Sequence, residues 1–175
     1  GIKQVTLRQL ISTTKFDFPL DFYEKGILMI GGSTHLQYNG TYYEGDLSGI
    51  TAGNIPFWFQ HFYRPGRRIS KTHDWATKLN EMVRKAPNWD IGIIVGVPAW
   101  VQILMEKIIE EYNLDTIHDI WPNLSVYVHS GVSFKPYLKS FEKLFSKPMM
   151  YSESYLASEG YVAFQNGKDI KGMEM

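Results

Sequence analysis

The sequence contains no cysteine, no excess of charge of either sign and no long apolar run, and each absence excludes a class of function. Without cysteine the chain can form neither a disulfide nor a thiolate metal site, and it has no cysteine nucleophile. Its 18 Lys and Arg balance 18 Asp and Glu, so no basic excess favours nucleic acid or anionic lipid. The apolar run Ile91–Met105 is too short to cross a bilayer, which takes about 20 residues. We therefore expect a soluble, cytoplasmic protein with neither nucleic acid nor a membrane as its partner.

The residues that are present are those of a folded domain. The chain has 175 residues, of which 44% are hydrophobic and 15% aromatic, enough for one domain with a sizeable core. The last residues, Gly172–Met175, show no pattern of a closing helix. We expect the chain to be a segment of a longer protein, whose exposed apolar patches favour a dimer.

Helix and strand patterns alternate after residue 71. Apolar residues recur at helical spacing in three segments, which begin near Thr72, Pro98 and Pro136. The segments between and after them are short apolar runs typical of buried strands: Ile91–Val95, Leu124–His129 and Met149–Glu153. Such alternation predicts an α/β fold, with a mostly parallel sheet flanked by helices on both faces.

Three turns follow these strands and should open at one edge of the sheet. They are Gly96–Trp100, Ser130–Ser133 and Ser154–Gly160, and each contains small residues that let a ligand approach the backbone. Ligands of parallel sheets bind outside the carboxyl ends of the strands. We therefore expect the ligand site at this edge.

The last of these turns carries the residues best suited to chemistry. Tyr155, Ser158 and Glu159 lie in a polar loop between a strand that ends at Glu153 and a second strand, Tyr161–Gln165. A ring, a hydroxyl and a carboxylate on one turn can bind a nucleotide through stacking, a phosphate contact and a metal ligand. Spacing alone favours an ordinary solvated hairpin loop, so both interpretations stay open.

Other patterns give weaker indications of a site. The five histidines lack the spacing of a zinc site. His129 ends a strand at the proposed ligand edge, and for it we favour a structural role over a ligand role. The turn Gly31–Thr34 can present amide groups to phosphate, although a simple turn is the favoured interpretation. No nucleophile elbow, dinucleotide fingerprint or P-loop is present.

Two short motifs resemble those of a known family. His129–Phe134, with the sequence HSGVSF, and Tyr155–Gly160, with the sequence YLASEG, are similar to motifs of the auxin-responsive Gretchen Hagen family of acyl acid amido synthetases. That family belongs to the adenylate-forming enzymes. Further similar motifs follow in the same order: Gly31–Ser33, Gly45–Ser48, Asn54–Trp58, Gly96–Trp100 and Trp121–Leu124. The resemblance extends over nearly all of the chain.

The resemblance implies an enzyme that uses ATP and Mg²⁺ to activate a small carboxylic acid as an acyl-adenylate. Plant members of the family then pass the acyl group to an amino acid. Acyl transfer to the α-phosphate needs the pyrophosphate charge neutralised and the attacking carboxylate held in line. The implied substrate is a small carboxylic acid, and the sequence leaves the acyl acceptor open between an amino acid, CoA and none.

The same resemblance assigns roles to individual residues. Tyr155 would stack on adenine, and Ser158 and Glu159 would act in catalysis, Ser158 on a phosphate and Glu159 on Mg²⁺. Val97 and Trp100 resemble the acyl-pocket side, and core packing explains them equally well. The residues that would surround ATP are Gly131, Val132, Ser133, Tyr155, Ala157 and Ser158.

The resemblance also implies segments that this sequence does not contain. The phosphate loop is expected upstream, and the ribose-binding aspartate and a mobile C-terminal domain downstream. Ser130 stands where the family often has glycine. We therefore expect one subdomain of an adenylate-forming N-terminal domain, inactive by itself. The alternative is a non-catalytic α/β module that binds a small acid or a protein partner.

Overall fold

The computed structural model describes residues 18–32, 37–41, 43–44, 57–157 and 160–164. The strands are β1 (Gly26–Ile30), β2 (Gln37–Tyr38), β3 (Tyr43–Glu44), β4 (Tyr63–Arg64), β5 (Ile91–Gly96), β6 (Val126–His129), β7 (Met150–Ala157) and β8 (Gly160–Phe164). The α-helices are α1 (Arg67–Ser70), α2 (Trp75–Lys85), α3 (Pro98–Tyr112) and α4 (Leu138–Glu142). Short 3-10 helices span Leu20–Glu24, Phe57–His61, Ala86–Asn88 and Ile117–Asp119.

The main sheet has six strands in the order β4-β1-β5-β6-β7-β8. The first five strands of that order are parallel to one another, whereas β8 runs antiparallel to β7 at the edge. Strands β2 and β3 form a separate antiparallel pair. The predicted α/β fold with a mostly parallel sheet is confirmed.

The direction of the crossovers places the described helices on one face of the sheet. The chain moves the same way across the sheet from β4 to β5, from β5 to β6 and from β6 to β7. Right-handed crossovers in one direction put α2, α3 and α4 on one face, so these helices do not cover both faces as predicted. Accordingly, Leu28, Ile94 and Tyr127 share one buried cluster with residues of all three helices. The opposite face carries half-buried apolar side chains: Ile27, Met29, Ile93, Val95 and Val128.

Helix α2 begins after Asp74, and the predicted cap at Thr72 is therefore wrong. The Oδ2 atom of Asp74 accepts a hydrogen bond from the backbone N–H of Thr77 at 2.7 Å. This contact satisfies one of the free donors of the first turn. Hydrogen bonds from the Thr77 side chain and from its backbone N–H lower the pKa of the Asp74 carboxyl. The predicted apolar face is confirmed, because Leu79 and Met82 are buried against the sheet.

His118 joins two loops at the amino edge of the sheet. Its buried ring places Nε2 2.9 Å from the carbonyl oxygen of Leu124, and Nδ1 accepts a hydrogen bond from the backbone N–H of Ser146 at 3.1 Å. Because Nδ1 accepts a hydrogen bond, the ring is neutral and carries its proton on Nε2. Burial lowers the pKa of this imidazole.

We expect the free energy of unfolding to fall as the pH drops from about 7 to about 5. The pKa of His118 is lowered from its ordinary value near 6.5, so the unfolded chain binds more protons in this interval. The contribution of neutral His118 to the free energy of unfolding is complete above about pH 6.5. It is lost as the pH falls toward the pKa of His118 in the folded chain. Urea unfolding at the two pH values measures this loss, and His118→Phe should reduce it. An equal pH dependence in both proteins would contradict the expectation.

Candidate functional site

The carboxyl ends of β1, β5 and β6 lie in one row with Glu153 of β7. Backbone pairing puts Ile30 of β1 beside Gly96 of β5, Gly96 beside His129 of β6, and His129 beside Glu153 of β7. The segments that follow Ile30, Gly96 and His129 therefore leave the sheet at the same edge. This confirms the arrangement predicted for the turns after β5 and β6.

The predicted loop after β7 is wrong in its bounds. Strand β7 continues past Glu153 to Ala157, and β8 pairs with this extension so that Ala157 lies opposite Gly160. Tyr155 is paired with Ala163 and is thus part of the strand rather than of a loop. The strand extends here because β8 pairs with it and because tyrosine favours strands. The polar residues of this segment had instead indicated a loop.

The hairpin of β7 and β8 projects beyond the row of strand ends. Tyr155 and Ala157 belong to the projecting part of β7. Ser158 and Glu159, predicted to contact phosphate and Mg²⁺, lie outside the described residues. Their roles stay predictions. The structure describes the residues on either side of them, Ala157 of β7 and Gly160 of β8.

The chain direction reverses between β1 and β5. The connection that leaves β1 runs to β4 on one side, whereas every later crossover runs to the other side. Parallel sheets bind ligands at such a switch point. The connections from two neighbouring strands run in opposite directions there, and this leaves a crevice outside the strand ends. Gly31 and Gly32 follow β1 at this point, and Val97 follows β5.

Val97 and Trp100 lie at the start of helix α3. Val97 is the residue before the helix and gives it no side-chain cap, and Pro98 occupies the first turn as predicted. The ring of Trp100 packs against that of Trp75 in the first turn of α2, with 5.2 Å between ring centroids. The two half-buried indoles thus form an aromatic pair close to the switch point, a position that suits a pocket wall and helix packing alike.

The turn Gly131–Ser133 is exposed and opens beside helix α3. Gly131 has φ 86°, a left-handed conformation that favours glycine. The nearest neighbour of a Cβ atom built on Gly131 would be Cγ2 of Val97, at 3.7 Å. The predicted adenine turn, which includes Val132, therefore adjoins a predicted acyl-side residue. Apart from the chain neighbours of Gly131, no other atom of the described residues would lie within 4 Å of that Cβ position.

His129 is buried at this edge and carries an unsatisfied nitrogen. Only 5% of the residue is exposed, and Nδ1 is the one buried side-chain polar atom of the described residues that lacks a hydrogen-bond partner. The imidazole stacks on Phe134 with 4.7 Å between centroids and lies 5.7 Å from the ring of Tyr127. Burial lowers the pKa of His129, although the charge of Glu153 opposes the shift. The ring is therefore neutral near pH 7.

Lys78 is a further residue at this edge, and the sequence analysis missed it. Although it is a lysine, only 3% of it is exposed, and its ammonium group donates to the carbonyl oxygens of Gly31 and Gly32 at 2.7 and 3.0 Å. A buried cation thus holds the turn after β1 by its carbonyl groups. A signal was present, because position 78 falls on the apolar helical stripe with Trp75 and Met82.

The described residues fit a nucleotide better than they fit a metal ion. The exposed turn at Gly131 suits a flat ligand, because little of the described chain lies close to its backbone. Within the described ranges, no group of three His, Asp or Glu side chains could hold a metal ion. The predicted Mg²⁺ ligand, Glu159, lies outside those ranges. None of the described helices is long and apolar enough to span a membrane.

Comparison with known proteins identifies the family. The model of the GH3 family N-terminal domain matches residues 4–150. The solved structure of a GH3.15 acyl acid amido synthetase is similar, with a TM-score of 0.68 at 8% sequence identity, covering 97% of this chain. The match covers 40% of that protein, so this chain spans less than half its length. No curated protein sequence matches the chain significantly. At 8% identity the structural likeness shows the fold alone, and the match over residues 4–150 shows that the chain belongs to the GH3 family.

Proposed function

We propose that this chain forms part of an ATP-dependent ligase that activates a carboxylic acid as an acyl-adenylate. Membership of the GH3 family supports a ligase of the acyl acid amido synthetase type. The observation that carries the proposal is the row of strand ends, where the glycine turn adjoins Val97: a Cβ atom built on Gly131 would lie 3.7 Å from Cγ2 of Val97. A nucleotide slot and an acid pocket that adjoin each other are what an adenylation step requires.

In the proposed reaction a carboxylate oxygen of the acid attacks the α-phosphorus of ATP. A bond forms between that oxygen and phosphorus, and the bond to pyrophosphate breaks. Gly131, Val132 and Ser133 would hold adenine and Tyr155 would flank it. Ser158 would donate a hydrogen bond to a phosphate, and Mg²⁺ held by Glu159 would balance the phosphate charge.

Val97 and Trp100 would line the acid side of the site. From their position at the start of α3, they would hold the acid next to the turn that would hold the nucleotide. Such placement would align the attacking oxygen with phosphorus, and alignment of this kind lowers the barrier without covalent catalysis.

The acyl acceptor in this proposal is an amino acid. The similar solved structure is that of an acyl acid amido synthetase, which supports an amide product. The reaction would proceed in the cytoplasm, where ATP and free amino acids occur together. We propose that the described α/β unit is one subdomain and that catalysis needs segments of a longer protein. A dimer formed through exposed apolar surface stays a prediction.

Acid-dependent exchange of pyrophosphate into ATP tests the proposal. We would measure it in the longer protein that contains this chain, for the wild type and for Glu159→Ala. Loss of the metal-binding carboxylate should lower exchange by at least about 100-fold. Glu142→Ala is the matched control, because Glu142 is an exposed glutamate on α4 and its removal should leave exchange unchanged.

The outcome also separates adenylation from simple binding. Exchange that collapses in Glu159→Ala and persists in Glu142→Ala would establish adenylation. ATP binding without exchange, in a screen of many carboxylic acids, would favour the non-catalytic binding module.

A further inference from the structure

We propose that Lys78 is a positioning residue of the acid pocket: its buried ammonium group holds Gly31 and Gly32, the β1 turn, in place as one wall of that pocket. This inference rests on the proposed function and adds to it a residue outside the family motifs. The ammonium group donates to the carbonyl oxygens of Gly31 and Gly32, at 2.7 and 3.0 Å. Both hydrogen bonds join helix α2 to the strand end at the switch point.

The first argument is the cost of burying a charge. Lys78 is almost completely buried, and it lies on the apolar stripe of α2 with Leu79 and Met82. Desolvation of an ammonium group destabilises a folded chain unless hydrogen bonds compensate for it. A methionine would occupy the same stripe without that cost. The lysine is therefore explained by the turn that its ammonium group holds.

The second argument is the conformational freedom of the β1 turn. Glycine loses more conformational entropy on folding than any other residue, and this turn has two in succession. Such a turn needs specific contacts to keep one conformation. Hydrogen bonds from an ammonium group are stronger than those between neutral groups, and two of them act here on neighbouring carbonyl oxygens. Lys78 therefore fixes the direction of both carbonyl groups.

The third argument is the order of the strand ends. Ile30, Gly96 and His129 lie side by side, so Val97 stands between the β1 turn and the turn at Gly131. Neighbouring strands lie about 4.8 Å apart, which puts the end of β1 about 10 Å from the end of β6. The β1 turn therefore borders the proposed acid side and is separated from the proposed adenine turn.

Helix α2 supports the acid side at a second place. Trp75 lies one turn before Lys78, and its ring packs against that of Trp100 with 5.2 Å between centroids. The same helix thus holds an indole of the acid side and the β1 turn. A pocket bounded by indoles and glycines suits an acid with an apolar body.

Pyrophosphate exchange in the longer protein tests the inference, with phenylacetate, benzoate and hexanoate as the acid probes. For Lys78→Met we expect the KM for the acid to rise by about tenfold, because a turn that is no longer held positions the acid poorly. The KM for ATP should change by less than about twofold, since the adenine turn lies two strands away. Lys85→Met is the matched control, because Lys85 is an exposed lysine of the same helix.

Leu79→Ala separates positioning from stability. Leu79 is the buried neighbour of Lys78 on α2, and its truncation destabilises the fold without removing the two hydrogen bonds to the β1 turn. We expect Leu79→Ala to lower the Tm and to leave the KM for the acid unchanged. If Lys78 acted through stability alone, the KM for the acid would respond to both substitutions alike.

The absence of cysteine allows a direct test of the hydrogen bonds in this chain. In Lys78→Cys, alkylation of the unfolded chain with bromoethylamine rebuilds an ammonium group at position 78 alone, and alkylation with iodopropane adds an apolar group of similar length. An ammonium donor deshields the carbonyl carbon that it contacts. In the refolded chain, we therefore expect the carbonyl carbon resonances of Gly31 and Gly32 to regain their wild-type positions with the aminoethyl group and not with the propyl group.

Each result supports or overturns the inference. A rise confined to the KM for the acid in Lys78→Met, with both controls close to the wild type, would support it. An unchanged KM for the acid, an equal rise for ATP, or identical carbonyl resonances with the two alkyl groups would overturn it and leave the proposed function standing. A wild type without exchange for all three probes would overturn the acid pocket described here. Absence of exchange with every carboxylic acid screened would overturn the proposed function as well.

Discussion

Replacement of Trp121 by alanine is expected to lower the free energy of unfolding by about 3–5 kcal/mol. Trp121 is fully buried in the core that joins the helices to the sheet. Its Nε1 donates a hydrogen bond to the carbonyl oxygen of Ala86 at 3.0 Å, across the junction between α2 and the loop before β6. Alanine removes the ring, leaves a cavity, and leaves the buried carbonyl of Ala86 without this donor.

Urea unfolding of the chain measures this loss, with Trp121→Phe as the comparison. Phenylalanine fills most of the space but does not restore the hydrogen bond, so we expect a smaller loss of about 1–3 kcal/mol. Trp100→Ala should cost less than Trp121→Ala, because Trp100 is only half-buried. A change of less than about 1 kcal/mol in Trp121→Ala would contradict the described packing.

Alanine at Gly96 is expected to destabilise the chain by about 1–3 kcal/mol and to weaken nucleotide binding as well. A Cβ atom there would lie 2.9 Å from the carbonyl oxygen of Ile30 and 3.1 Å from Cγ2 of Val101. The backbone oxygen cannot move away as a flexible side chain could, so β1 and β5 must separate or the start of α3 must shift. The carbonyl oxygen of Gly96 also accepts a hydrogen bond from the hydroxyl of Tyr127 at 3.1 Å. A shift of Gly96 would therefore disturb β6 as well.

Gly131→Ala is the control that separates steric crowding from backbone strain. Its new Cβ would meet no atom closer than 3.7 Å, but φ 86° is unfavourable for alanine and should cost about 1–2 kcal/mol. Urea unfolding gives the stability of both variants, and calorimetric titration gives their affinity for MgATP. If Gly96→Ala proved as stable as the wild type, the close approach of β1 and β5 at this row would be refuted.

Local patterns were sufficient for helices α2 and α3 and for the central strands, whereas the short helix α1 was not predicted. Pro98 begins α3 and apolar residues bury one face of α2, because proline geometry and helical periodicity act within a few residues. Strand β5 was predicted at 91–95 and extends to Gly96. The cap of α2 was misplaced by two residues, since Thr72 and Asp74 are both good caps and the backbone conformation decides between them.

The site depended on contacts between distant segments. Lys78 reaches Gly31 and Gly32 across more than 40 residues of sequence, and this pairing has no local signature. Tyr155 lies in a strand because β8 pairs with it. The unsatisfied nitrogen of His129 became visible only when its buried surroundings were known, since a histidine at a strand end has no fixed partner in sequence.

The α/β class, the family resemblance and the edge at which the turns open could all be inferred from the sequence alone. Those features follow from periodicity, from turn residues and from short motifs, all of which act locally along the chain. The strand order, the reversal between β1 and β5, and the neighbourhood of Gly131 and Val97 emerged only from the folded chain. Strand order and side-chain burial depend on which segments pair across the sheet, and many pairings satisfy the same local pattern.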